Sequence, residues 1–421
     1  MNFLENFLFL CRSLRPAPPE LGSQVSWEEV AYTASHLLLT PALYPAWQAN
    51  GFLARIPADL AAYLEALHQL NTARNQDLRQ QLWDLTEILN QAGVIPLPLK
   101  GAARLLACRG PALGRDVLQD LDLLVPARQA PLALAALQEA GYQLVAPLDS
   151  SPQERYSLHY PPLAHPAAPA MLELHWEAAR RPFQAMLPAR EILARARPAR
   201  TPAGGVHLAP APRDQLAVLW AHLMWDFHYL GSFGLRRLWQ AVELRRRPGS
   251  PLPWDELTQA ARGHGLARPW SEFLGLAWDL LGQAPPPGQQ VSPGPGRLAA
   301  LLRRLRHPRL HLPLYASRYA LFIARRYANQ PAQLVRHLFR PANWRYQRKW
   351  LNQTESSARG VLPRAMSGWQ KRDSTPASRA CRGPGFCQPS QIASFLKLAI
   401  WRAILGPHRP LPAVIMFHSH F

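Results

Sequence analysis

The chain has 421 residues, with 47 Lys and Arg against 27 Asp and Glu, for a formal net charge of +20. Hydrophobic residues make up 48%, enough for two or three core units of roughly 150 residues, which excludes a chain disordered throughout. Four cysteines exclude a disulfide scaffold at this length and predict a reducing, cytoplasmic setting, and no uninterrupted apolar run reaches the ~20 residues of a spanning helix.

Phe3 to Leu14 has the spacing of an amphipathic helix; with Glu5 and no leading basic cluster it is a poor signal peptide. After the break at Pro16-Ala17-Pro18-Pro19, Ser26 is placed to cap a helix that opens at Trp27. Leu60, Leu64, Leu67 and Leu70, then Leu78, Leu82, Leu85 and Leu89, predict one or two long helices that begin near Pro57 and end at Gly93. Residues 1–90 therefore read as a helical region.

Val94 to Leu99 is a short apolar run that stops at Lys100-Gly101, as a buried strand should. Gly101 lets the backbone turn sharply, and the helix that opens there aims its positive end at the same spot, a place suited to a phosphate. A second strand follows, Asp120-Leu121-Asp122-Leu123-Leu124-Val125. Its alternation sets Asp120 and Asp122 on one face and Leu121 and Leu123 in the core. Two carboxylates side by side repel each other unless a cation sits between them, and hard oxygen ligands suit Mg²⁺.

Pro126 ends that strand, Ala130 to Ala140 reads as a helix, and Tyr142 to Val145 as a third strand. Ser150 to Ala170 is loop-like; Met171 to Glu177 alternates again, with Glu173, His175 and Glu177 on one face. Residues 91–205 thus form an α/β (α+β) core of mixed strands. From Pro212 the pattern is helical, with His222 and Asp226 four apart and so on one face, and Trp254 to Leu281 completes a bundle.

Beyond the Pro/Gly linker Pro285 to Gly296, basic residues crowd Arg303 to Lys349 without one acid. This second half of a helical region 206–352 would attract nucleic acid or another polyanion. From 353 to 421 the composition predicts disorder, and Cys381, Cys387, His418 and His420 match no zinc spacing.

The combination Leu99-Lys100-Gly101, Arg115, Asp120-Leu121-Asp122-Leu123-Leu124-Val125 and Glu173-Leu174-His175-Trp176 resembles the bacterial uncharacterised nucleotidyltransferase family, within the DNA polymerase β superfamily. The resemblance runs from about Trp27 to about Gly282. It implies a small mixed-sheet nucleotidyltransferase core flanked by helical regions. It also implies transfer of a nucleoside monophosphate from an NTP to an acceptor hydroxyl, with two Mg²⁺ ions and release of pyrophosphate. Asp120, Asp122 and Glu173 would hold the metal, Lys100, Gly101 and Arg115 the nucleotide, and His175 and His222 are candidates for the acceptor side. The acceptor could be a small molecule, a glycan precursor, a peptide or a protein.

Three positions depart from the family pattern. Ala102 follows Gly101 and offers no hydroxyl, Asp116 stands where the arginine is usual, with Arg115 one residue earlier, and Gln240 replaces an Asp of the next helix. A degenerate nucleotide-binding or nucleic-acid-binding protein is the alternative reading.

Overall fold

The computed structural model describes residues 3–21, 25–145, 158–230, 233–246, 252–286, 288–289, 291 and 298–302. All lie in the first of two compact units, residues 1–326. The basic span 303–349, the tail 353–421 with its cysteines and histidines, and most of the Pro/Gly linker fall outside the described residues.

Three short helices, α1 (Phe3–Ser13), α2 (Trp27–His36) and α3 (Thr40–Ala49), precede the 34-residue α4 (Ala58–Gln91). No Gly or Pro interrupts Ala58 to Gln91, so of the one or two helices expected there is one, and Gly93 releases the chain at φ +74°. Ser26 sits at the N-cap of α2 but makes no capping hydrogen bond. The buried stripe of α4 is not the leucine row expected at its start: Leu70 is exposed, and the stripe runs Leu64, His68, Asn71, Asn75, Leu78, Leu82, Leu85, Leu89. Three polar residues occupy its middle.

The first strand is only β1 (Leu97–Pro98), shorter than Val94 to Leu99, because Pro96 and Pro98 have no N–H to give a neighbour. It is followed by α5 (Lys100–Ala107), a 3₁₀ turn Gly110–Arg115, and β2 (Asp120–Leu124). Then come α6 (Ala130–Glu139), β3 (Gln143–Leu144), β4 (Leu163–Ala164) and β5 (Met171–His175). The β4 strand lies inside the segment read as loop. The sheet order is β1-β2-β5-β4-β3, mixed, with β2 and β5 parallel at its centre. After α7 (Ala189–Arg195) a hairpin unmarked in the sequence reading, β6 (Arg197–Arg200) and β7 (Val206–Ala209), returns to the sheet. The Leu208 N–H donates to the Pro96 carbonyl at 2.9 Å, and Asn90 bonds Val206 N and O, at 2.6 and 2.9 Å.

Then come α8 (Pro212–Trp225), a π-turn Asp226–Leu230, α9 (Leu235–Arg245), α10 (Trp254–Gly263) and α11 (Ala267–Leu281), and the described part ends in a helical turn at 298–302. Two apolar cores result. One, around Leu82, Leu85, Leu121, Leu123 and Leu172, lies under the sheet between α4 and α6. The other joins Phe7, Leu10 and Trp47 from the N-terminal helices to Trp220, Trp270 and Leu280 from the later ones. Arg15 closes this core: its guanidinium donates to the Leu280 and Asp279 carbonyls at 3.2 and 2.7 Å, capping the negative end of α11. Among the described residues no helix is long and apolar enough to cross a membrane.

Candidate functional site

Parallel pairing sets Asp122 of β2 opposite Glu173 of β5, and Leu124 opposite His175. The period of two then puts Asp120, Asp122, Glu173 and His175 on one side of the sheet. Leu121, Leu123, Leu172 and Leu174 fill the core on the other side and are fully buried. The charged side chains are buried too: Asp122 is 2% exposed, Glu173 4% and His175 1%.

Lys100 reaches this group from the first position of α5. Its backbone, at φ 47°, makes the left-handed turn that the sequence assigned to Gly101. Gly101 is needed for a different reason, since a Cβ there would lie 3.0 Å from Leu118 Cγ. A lysine held in a conformation that favours glycine needs support from its surroundings. That support is ionic: Nζ lies 2.8 Å from Asp122 Oδ1. Burial alone would lower the Lys100 pKa, but the charges of Asp122, Glu173 and Asp120 outweigh it and raise it.

His175 Nε2 lies 2.9 Å from Asp122 Oδ1 and 3.2 Å from Glu173 Oε2. Burial works against charge on Asp122, yet Lys100 and His175 hold its carboxyl well below the usual carboxylate range. Glu173 is also lowered, with burial outweighed by the His175 hydrogen bond and by His159, whose Nε2 is 3.8 Å away. Asp120 forms no side-chain hydrogen bond or ion pair among the described residues. Burial and the Asp122 and Glu173 charges raise its pKa to about 7. At contact distance the three carboxylates share Lys100 and one imidazole, His175, with His159, Arg236 and Arg237 further off; Asp120 has no contact partner among the described residues, an arrangement that suits a divalent cation. Asp122, Glu173 and His175 offer ligand atoms within 4.8 Å of one another; Asp120 stands outside that cluster.

The segment before β2 is held by residues that sequence reasoning missed. Asn71 Nδ2 donates to the Gly114 and Asp116 carbonyls at 2.7 and 3.0 Å, Asn75 Nδ2 to those of Leu113 and Asp116 at 2.7 and 2.8 Å, and Arg74 to that of Leu118 at 2.7 Å. Gly114 is obligatory under α4, because a Cβ would come within 2.7 Å of the His68 carbonyl oxygen. The Asp116 carboxylate accepts from Arg104 Nε at 2.7 Å and from Gln240 Nε2 at 2.9 Å. One face of α9 thus meets this segment: Arg236 donates to the Val117 carbonyl, Gln240 to Asp116, and Glu243 pairs with Arg115 at 2.8 Å. The signal for α4 was the i, i+4 pair Asn71 and Asn75 inside a leucine-spaced stripe; for α9 it was the spacing 236, 240, 243.

Arg115 is thus directed at α9 and pairs with Glu243, while Arg236 and Arg237 lie close enough to feel the Asp120 and Asp122 charges. His222 and Asp226 do not act as a pair. The π-turn begins at Asp226, which pairs with Arg237, whereas His222 Nε2 lies 3.3 Å from the Ala178 carbonyl. Burial, then Lys100 and Arg237, lower the His222 pKa well below its ordinary value, so the ring is neutral beside the site.

The mixed sheet, its Asp-x-Asp strand and the Lys-Gly turn define an α/β domain of the nucleotidyltransferase kind. The chain belongs to the uncharacterised nucleotidyltransferase family, whose model matches residues 23–282. The match ends at Gly282, the left-handed cap of α11; it takes in the core under the sheet and most of the second core, but not Phe7 and Leu10 of α1. No curated protein matches the chain.

Proposed function

We propose that the chain transfers a nucleoside monophosphate from an NTP to an acceptor hydroxyl with release of pyrophosphate, Mg²⁺ serving as cofactor as in the DNA polymerase β superfamily. The observation that carries this reading is the pairing of Asp122 with Glu173 across β2 and β5, with the Lys100 ammonium 2.8 Å from Asp122. Buried carboxylates that share one lysine and one imidazole at contact distance fit a divalent ion. Asp120 and Asp122 would hold the ion on the triphosphate, and Glu173 the one near the acceptor. The ions supply charge stabilisation at the phosphoryl oxygens and a lowered pKa for the attacking hydroxyl.

The protein's own part is positioning. Lys100 neutralises Asp122 before substrate arrives and stands ready for the phosphates, with Gly101 allowing the close approach of α5 to Leu118. His175 spaces Asp122 from Glu173. Arg115 acts through Glu243 as an anchor of α9 in this reading, and Arg236 and Arg237 take the cationic role expected of it. Residues 91–205 form the catalytic core, and α8 to α11, with His222, shape the acceptor side. The acceptor is a small molecule, a glycan precursor, a peptide or a protein side chain.

The second reading is a member that binds nucleotide without turnover; Ala102, which supplies no hydroxyl after Gly101, and the Arg115–Glu243 pair favour it. Incubation of the full chain with each α-labelled NTP, Mg²⁺ and cell extract decides between them. A labelled product that needs both Asp122 and Glu173 is expected. Nucleotide binding without label transfer, for all four NTPs, would establish the second reading.

A further inference from the structure

We propose that His175 is a nitrogen ligand to the divalent ion of this site, which therefore takes a first-row transition ion of the Mn²⁺ class in preference to Mg²⁺. The proposal rests on the metal-dependent reading above and puts an ion of the Mn²⁺ class in the place that the superfamily resemblance gives to Mg²⁺. Nothing in the Asp-x-Asp pattern calls for an imidazole among the ligands.

The argument begins with the arrangement of donors. Asp122, Glu173 and His175 converge within 4.8 Å, and each is nearly fully buried. His175 Nε2 addresses both carboxylates at once, 2.9 Å from Asp122 Oδ1 and 3.2 Å from Glu173 Oε2. An N–H has one direction and serves one acceptor well, so a single proton is a poor solution for two oxygens on different strands. A cation that takes the nitrogen and both oxygens serves all three. The two N···O separations fit: bonds of about 2.1 Å at right angles place neighbouring ligand atoms roughly 3 Å apart.

Ligation through Nε2 leaves the ring proton on Nδ1, which is buried without a hydrogen-bond partner among the described residues, so the bond to the ion must offset that cost. His175 lies in β5, directly opposite Leu124 of β2, so the nitrogen is delivered by a paired strand and not by a loop. Two carboxylates with one imidazole form a mixed N/O set. Imidazole favours transition ions, whereas Mg²⁺ favours oxygen and water alone. Lys100 remains on Asp122 and holds that carboxylate in place. His159 is the other nearby imidazole, but its Nε2 lies 3.8 Å from Glu173, outside the group of converging donors.

The test is pulsed electron paramagnetic resonance on the full chain loaded with Mn²⁺ alone, in the absence of nucleotide. Nitrogen modulation on the Mn²⁺ signal is expected, and it should change from the ¹⁴N to the ¹⁵N pattern when only histidine carries ¹⁵N. This labelling leaves the sequence unaltered and does not depend on a variant folding. His175→Gln should remove the modulation and weaken Mn²⁺ binding by at least about tenfold, while His159→Gln keeps the modulation. Mn²⁺ should outcompete Mg²⁺ by at least about tenfold in titrations of the unaltered chain. Bound Mn²⁺ with no histidine nitrogen coupling, coupling that survives His175→Gln, an equal affinity for Mg²⁺, or no Mn²⁺ binding would each overturn the proposal. Label transfer by the same preparation with Mg²⁺ and no coupling would overturn only this proposal and leave nucleotidyl transfer standing.

Discussion

Asp122 and Glu173 occupy the same register position on two parallel strands, and the His175 imidazole lies within hydrogen-bond distance of both. Strand pairing, not loop conformation, therefore fixes the spacing of the two carboxylates. Because they are buried, their removal affects folding as well as chemistry, and the two aspartates of β2 should behave differently.

Asp122→Ala leaves Lys100 and His175 without their shared partner. Removing one member of a buried ion pair costs about 3–5 kcal/mol, so urea denaturation should show a large loss of stability together with loss of transfer. Asp120 has no such partner. Asp120→Asn should abolish transfer while metal-free stability stays level or rises, since a like charge beside Asp122 is gone. Equal destabilisation by both substitutions would contradict this division.

Lys100 combines a left-handed backbone with an ion pair, and two substitutions separate the contributions. Lys100→Met loses the ammonium and keeps the strain; Lys100→Gly loses the ammonium and relieves roughly 1 kcal/mol of strain. Both should lower NTP affinity and turnover to the same low level, with Lys100→Gly the more stable of the two in thermal melts. NTP affinity unchanged in both would remove Lys100 from nucleotide binding.

Asn71 and Asn75 share the Asp116 carbonyl and together hold residues 113–116 against α4. Either substitution by Ala should cost about 1–3 kcal/mol, because carbonyls inside the protein lose their donors. In a double-mutant cycle the two costs should not add, since the second substitution acts on a segment already released. Simple additivity would show that the two side chains act independently.

Asp116 gives the pH dependence. Burial works against its charge, but Arg104, Gln240 and Arg236 outweigh burial and hold its folded pKa below the ordinary 3.8. A lowered carboxyl pKa stabilises the fold above the unfolded value, and this stability is lost as pH falls through the folded value. Asp116→Asn, which strands the Arg104 guanidinium, should cost about 3 kcal/mol near neutral pH. The difference from the unaltered chain should hold from about pH 7 to about pH 5 and narrow below about pH 4 in urea titrations. A difference independent of pH across that range would rule out the ionic role.

The mixed sheet was legible because period-two alternation is a local property. Asp120 to Val125 and Met171 to Glu177 show it directly, and Glu173 and His175 could be placed on one face from spacing alone. The family resemblance predicted for about Trp27 to Gly282 agrees with the matched residues 23–282. Burial of Asp122 was not legible, because it depends on partners 22 and 53 residues away in sequence. The polar middle of α4 was hidden for a related reason: leucine spacing identifies a helical face but not what that face packs on, and here it packs on bare carbonyls. The β6–β7 hairpin escaped notice because Arg197-Pro198-Ala199-Arg200 has no apolar alternation; its pairing is with β7 and the sheet edge alone.

The Arg15 cap on α11 constrains the order in which the chain can fold as it leaves the ribosome. Its carbonyl acceptor on Leu280 lies 265 residues downstream, and Phe7, Leu10 and Trp47 share their core with helices of the same late segment. Until α11 has been synthesised, α1 to α3 present an apolar surface whose natural cover does not yet exist. Contacts of such high sequence separation form slowly, and the exposed surface is available to chaperones meanwhile. The core under the sheet waits less: its members lie between Leu78 and Leu174, so the strands that carry Asp122 and Glu173 can begin to assemble before α11 exists, while Leu64, Leu97 and Leu124 still await their later partners.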